Sequence, residues 1–121
     1  MNKNELLNRT KSFAYSCIDI TANLPNTYLG NHIKGQLIRS ATSTAANYRA
    51  TCKAQTKPTF IAKISIVVEE CDESLFWLEM IIDKKLISHE KVKDLIKEAD
   101  ELTAIFVASR KTASQNHAIA N

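Results

Sequence analysis

The sequence predicts an all-α protein, an antiparallel up-down bundle of four helices. Three observations carry that expectation. The 121 residues include only two glycines and two prolines, so the chain lacks the frequent breaks of a many-turned β fold. Apolar residues make up 45% of it, enough for a core and too many for a disordered chain. Those apolar residues recur at three- and four-residue steps in four separate stretches. A chain of this length forms one domain over residues 1–121, with an ordered core expected over about 4–111 and a frayed tail after it.

The first helix is expected from about Asn4 to Asn23. Leu6, Thr10, Phe13, Cys17, Thr21 and Leu24 form its apolar stripe, widened by Leu7, Ala14 and Ile18. Leu24-Pro25 ends it, because the residue before a proline is pushed out of the α region. The second helix is expected over about Thr27 to Lys53, with Ile33, Leu37, Ala41, Thr44, Tyr48 and Cys52 on one stripe. Gly30 and Gly35 weaken its first turns.

The third helix begins near Lys57-Pro58, where a proline in the first turn loses no hydrogen bond. Its stripe is Phe60, Ile64, Val67, Cys71, Leu75, Leu78 and Ile82, ending near Lys84. The fourth begins at Ser88, a favourable N-cap, with Glu90 placed to suit the helix dipole. Val92, Leu95, Ile96, Ala99, Leu102, Phe106 and Val107 carry its stripe, and the segment from about Thr112 reads as frayed. Four helices joined by short loops bury such stripes most simply as an up-down bundle.

Charge is distributed unevenly along the chain, although its net value is only +3. Residues 20–68 contain six bases (Lys34, Arg39, Arg49, Lys53, Lys57 and Lys63) and no acid. Residues 69–101 contain eleven acids and five bases. Such a molecule is suited to bind a polyanion on one side, or copies of itself, basic side to acidic side.

The third helix carries a second apolar face. Ile66, Phe76, Trp77 and Met80 fall roughly opposite the stripe centred on Val67 and Cys71, together with Glu69 and Glu73. A surface helix of a monomer is polar there. The face therefore predicts a subunit interface, against the alternative of a further packing partner within the chain. The second helix offers a complement: Arg39, Ser43, Ala46, Ala50 and Lys53 form a shallow basic line opposite its own core stripe. Head-to-tail packing of the second helix of one subunit on the third helix of the next closes into a ring if the rotation permits. Arg39 and Arg49 are then expected to pair with Glu69, Glu70 or Glu73 of the neighbour.

No catalytic constellation is legible. A di-iron bundle needs Glu-x-x-His on two helices, and the chain has none. Cys17, Cys52 and Cys71 lack C-x-x-C spacing and fall on core stripes. There is no phosphate loop. Asn47, near the centre of the second helix, suits a hydrogen bond across the bundle or contact with a base. Lys3, Arg9 and Lys11 add bases to the first helix, as a solvated face or a phosphate-binding patch. The expectation is a protein without enzymatic activity, metal or cofactor. The polar start MNKNELLNRTK has no apolar signal core, and no run of roughly 18 apolar residues occurs. A cytoplasmic protein is expected.

One run of residues is more specific. Gln36-Leu37-Ile38-Arg39-Ser40-Ala41, then Ser43 and Ala46-Asn47-Tyr48, resembles the signature of the four helix bundle proteins, the family of 23S rRNA-intervening-sequence proteins. Phe60-Ile61, Lys63, Ile66, Glu70, Glu73 and Phe76-Trp77-Leu78 fit the same pattern. The resemblance covers about residues 10–108, with one departure: many relatives have an acid just after the Asn-Tyr pair, where this chain has Ala50. It implies a small bacterial all-α bundle that forms a homo-oligomer, typically a pentameric ring. It implies a reading frame found in insertions within bacterial large-subunit rRNA genes or elsewhere in the genome. The family is similar to the accessory protein of diversity-generating retroelements, a basic pentameric bundle that binds nucleic acid and a reverse transcriptase. By that likeness RNA or DNA, and a protein partner such as a reverse transcriptase, are expected partners. Lys34, Arg39, Arg49, Lys53 and Lys57 are the candidate phosphate contacts. The candidate interface is Arg39, Ser43, Ala46, Ile66, Glu69, Glu73, Phe76, Trp77 and Met80. The alternative is a protein-binding adaptor in which the arginines serve only protein contacts.

Overall fold

A computed structural model describes the backbone of residues 1–120 and the side chains of residues 1–115. The chain forms α1 (Lys3–Ile20), α2 (Tyr28–Thr51), α3 (Lys57–Asp83) and α4 (His89–Ala120), with a 3-10 turn, Thr21–Asn23, after α1. α1 packs on α2 and α4, and α3 packs on α2 and α4, while among the described residues the diagonal helices meet through side chains only, without close backbone approach. This is the expected up-down bundle.

Polar side chains set the helix starts. Asn2 caps α1 by accepting from Glu5 N–H at 2.9 Å, Thr27 caps α2 by accepting from Gly30 N–H at 3.0 Å, and Thr56 caps α3 by accepting from Thr59 N–H at 3.2 Å. α4 starts directly after Ser88, whose carbonyl accepts from Lys91 N–H at 3.1 Å. The α3 stop is also local. Leu86 N–H reaches back to the Ile81 carbonyl and Lys85 N–H to that of Ile82, with Lys85 in the left-handed region at φ 56°. That is a Schellman closure made without glycine.

Gly30 has a role beyond weakening α2. A Cβ there would overlap the carbonyl oxygen of Pro25, so the α1–α2 loop folds back onto the helix only because this position lacks a side chain. Around Gly35 there is open space.

The core follows the stripes. Phe13, Ile33, Leu37, Ile64, Val67, Leu78, Val92, Leu102 and Phe106 are buried, and Tyr48 rests on Phe106 with ring centroids 5.3 Å apart. Two small polar residues complete it where α2 meets α3. Ser40 and Ser74 are fully buried with their hydroxyl oxygens 2.8 Å apart, and Ser74 also reaches the Glu70 carbonyl at 3.0 Å. With Ala41 and Thr44, also buried, Ser40 forms much of the buried part of the small-residue run of α2. Every buried side-chain polar atom among the described residues has a partner.

Two boundaries differ from expectation. The final part of α1 is a 3-10 turn, with Leu24 already extended. α4 continues as helix past Lys111, with no Gly or Pro to interrupt it, and Ala113 is buried beside Leu6 and Phe60 at the base of the bundle. The side chains of the expected frayed tail from 116 onward lie outside the described residues.

Candidate nucleic-acid interface and subunit face

Antiparallel packing converts the charge pattern along the chain into a difference between two ends. The close of α2 and the opening of α3 share one end, which gathers Arg49, Lys53, Lys57 and Lys63. The same half holds the start of α1, with Lys3 and Lys11, and the later part of α4, with Arg110 and Lys111. Carboxylates of that half include Glu5, Glu69, Glu98 and Glu101, of which Glu98 and Glu101 are engaged by Arg9. Most acids, among them Glu79, Asp83, Glu90 and Asp94, lie toward the other end. Lys53 and Lys63 flank a hollow of 500 Å³ floored by Ala50, Thr56 and Thr59. None of Arg49, Lys53, Lys57 and Lys63 lies within ion-pair distance of a carboxylate among the described residues.

Three of the five candidate phosphate contacts, Arg49, Lys53 and Lys57, therefore converge. The other two do not join them. Lys34 is exposed in the early turns of α2, toward the opposite end. Arg39 is engaged within its own chain, donating to Glu70 at 3.0 Å and to Glu73. The hydrogen bond to Glu73 is the largest cause raising its pKa; desolvation opposes it, and the hydrogen bond to Glu70 adds to it. Within the single chain, then, Arg39 pairs with acids of its own α3, where the sequence reading assigned it to acids of a neighbouring subunit. The reason is register: with Ser40 against Ser74, the Arg39 side chain already lies over Glu70 and Glu73 on the same seam. Arg9 is likewise engaged, donating to Glu98 through Nε at 2.7 Å and through a second guanidinium nitrogen at 2.6 Å, with Glu101 at 3.1 Å. It ties α1 to α4 rather than belonging to an open phosphate patch.

The second face of α3 divides in two. Ile66 and Phe76 are 43% and 51% exposed, large for apolar side chains, and Glu69 is exposed between them. Trp77 and Met80 are half-buried and pack on the core of their own chain. The Trp77 indole donates to Glu73 at 3.1 Å, and its ring meets His32 of α2 edge-on at 5.5 Å and Phe76 at 4.9 Å. Trp77 and Met80 are thus in part an intrachain contact, because the early turns of α2 cover that flank. A helical wheel of α3 alone does not show this.

On α2, Ser43 is half-buried and accepts from Asn47 at 2.9 Å. Asn47 also donates to the Ser43 carbonyl at 2.9 Å, so its amide bonds within the helix and not across the bundle. Ala46 is exposed and lines a groove of 230 Å³ between α1 and α2, with Leu7, Lys11, Ala14, Tyr15 and Arg49 among its walls. The α1 half of that groove escaped the sequence reading. Its signal was present: Tyr15 and Ile18 are three residues apart, and in the structure they are 57% and 38% exposed.

Cys17 and Cys71 are buried, and burial pushes both thiols up, Cys71 to about 11, so they keep their protons at neutral pH. Burial likewise raises the Tyr48 hydroxyl. Among the described residues no group of three His, Cys, Asp or Glu side chains is arranged to hold a metal ion. No helix there is long and apolar enough to cross a membrane.

Fold and surface together define an antiparallel four-helix bundle with a basic end and apolar residues left on its outside. The model of the 23S rRNA-intervening sequence proteins matches residues 2–108, and the chain belongs to that family. It is similar in structure to a protein with unknown function from the S23 ribosomal protein family of Bacteroides thetaiotaomicron, solved by crystallography at 1.70 Å resolution. The two share 27% sequence identity and superpose with a TM-score of 0.82 over 92% of this chain and 99% of that one. No curated protein matches the chain.

Proposed function

We propose that this protein is a non-enzymatic, self-associating helical scaffold whose basic end contacts the phosphate backbone of RNA or DNA. The observation that carries the nucleic-acid half of this reading is the convergence of Arg49, Lys53, Lys57 and Lys63 at one end of the bundle, away from carboxylate partners. Lysines on helix ends position a polyanion but read no base edges, so binding is nonspecific in sequence. The family name, with its reference to the 23S rRNA intervening sequence, supports a nucleic-acid setting, and a cytoplasmic location accords with it. A ring, pentameric as the family resemblance implies, would present several basic ends together and raise avidity.

The test is binding of a labelled structured RNA by the purified protein, read at about 50 and 200 mM salt. The reading predicts tight binding at low salt that weakens steeply, each phosphate contact contributing roughly 0.7–0.9 to the slope of log affinity against log salt. Lys53→Glu with Lys63→Glu abolishes most of it, whereas Lys84→Glu with Lys85→Glu, toward the other end, leaves it nearly intact. Absence of binding at 50 mM salt defeats the nucleic-acid reading. It favours a protein-binding adaptor, for which exposed Ile66 and Phe76 are the supporting observation.

A further inference from the structure

We infer that the α1–α2 groove of one copy receives the outer ridge of α3 from a second copy, the two bundles lying side by side and pointing the same way. The inference rests on the self-association reading and assigns it a surface. The groove is apolar on its floor, at Ala14 and Ala46, walled by Leu7 and Tyr15, and rimmed by the cations Lys11 and Arg49. The ridge is Ile66, Glu69, Glu73 and Phe76, two exposed apolar side chains bracketing two carboxylates. α1 and α3 are diagonal in the bundle, without close backbone approach, and the groove and the exposed ridge side chains lie on different outer flanks of the chain.

Charge and height both favour this occupant. Ser40 lies against Ser74, and antiparallel helices of equal rise change level together. Arg49, nine residues after Ser40, is therefore level with Ser65, nine before Ser74. Lys11 shares the groove with Arg49, which sets both cations at the height of Ile66 and Glu69. By the same counting Tyr15 and Ile18 stand near the level of Phe76. A rotation about an axis parallel to the bundle keeps heights unchanged. It brings Ile66 to the alanine floor, Glu69 to Lys11 and Arg49, and Phe76 to Tyr15 and Ile18. The contact is heterologous, the kind that closes into a ring. Lys11 and Arg49 thus belong to the subunit contact, leaving Lys53, Lys57 and Lys63 for a polyanion.

The experiment is the mass in solution, by sedimentation, of the unmodified protein, Arg49→Glu, Glu69→Arg and the double variant, each checked for helicity by circular dichroism. Ile66→Asp serves as an apolar companion, and the three positions changed, Arg49, Ile66 and Glu69, are exposed and outside the core. Each single charge reversal sets like charges together and is expected to weaken assembly at least tenfold, as is Ile66→Asp. The double variant restores the opposite-charge pair and reassembles. Single variants that assemble like the unmodified protein, or a double variant that stays dissociated, overturn the groove-and-ridge contact while leaving self-association standing. A monomeric unmodified protein overturns both.

Discussion

Two glycines in one helix carry opposite consequences. Gly35 stands in open space and costs α2 about 1 kcal/mol relative to alanine. Gly35→Ala is expected to stabilise the fold by about that amount. Gly30→Ala puts a methyl group onto the Pro25 carbonyl and is expected to destabilise it, because backbone cannot move aside as a flexible side chain does. Urea unfolding of the two variants gives the comparison, and equal effects would refute the account of the α1–α2 loop. Nothing in the sequence distinguished these glycines. Both interrupt the same apolar period, and only the path of Leu24-Pro25 separates them.

At the scale of the helices, the α1–α4 seam depends on one guanidinium. Arg9 is three-quarters buried and makes two short bonds to Glu98 and a third to Glu101. Partly buried bidentate pairs are stronger than exposed ones. Arg9→Gln is expected to cost about 1 kcal/mol and to speed amide hydrogen exchange in α1 more than in α2 or α3. Unchanged exchange in α1 would show the seam to be held by its apolar contacts alone. How much of this was legible varies by kind of signal. The four helices were, because Leu6-Thr10-Phe13-Cys17 and its counterparts repeat every turn and Thr27, Pro58 and Ser88 mark starts. Interhelix register was not, because it is fixed by close approaches such as Ser40 on Ser74, and single-helix periodicity contains no information about a neighbour's height. That is why Arg39 read as free for another subunit and Trp77 as a subunit contact rather than a contact within the chain. It is also why the cations read as one side of the molecule when they gather at one end.

At the scale of the whole molecule, a bundle of four helices has two kinds of outer surface, its ends and its flanks, and this chain differentiates both. In the proposed function the basic end attracts phosphate through charges that remain hydrated and so respond to salt. The flanks carry Tyr15, Ile18, Ile66 and Phe76 in positions a lone bundle does not use. Burial of such side chains against a second copy contributes roughly 1.5–3 kcal/mol for each one fully covered, which outweighs the surface ion pairs nearby. In the proposed assembly, therefore, apolar area supplies the affinity and charge sets the register, consistent with the weak energetics of exposed salt bridges.

That the chain assembles with copies of itself is the central claim, and sedimentation equilibrium of the unmodified protein over a broad dilution series tests it most directly. The account predicts a folded particle whose mass is a whole-number multiple of the 13.5 kDa chain. A well-folded species holding at 13.5 kDa across the whole concentration range would contradict it.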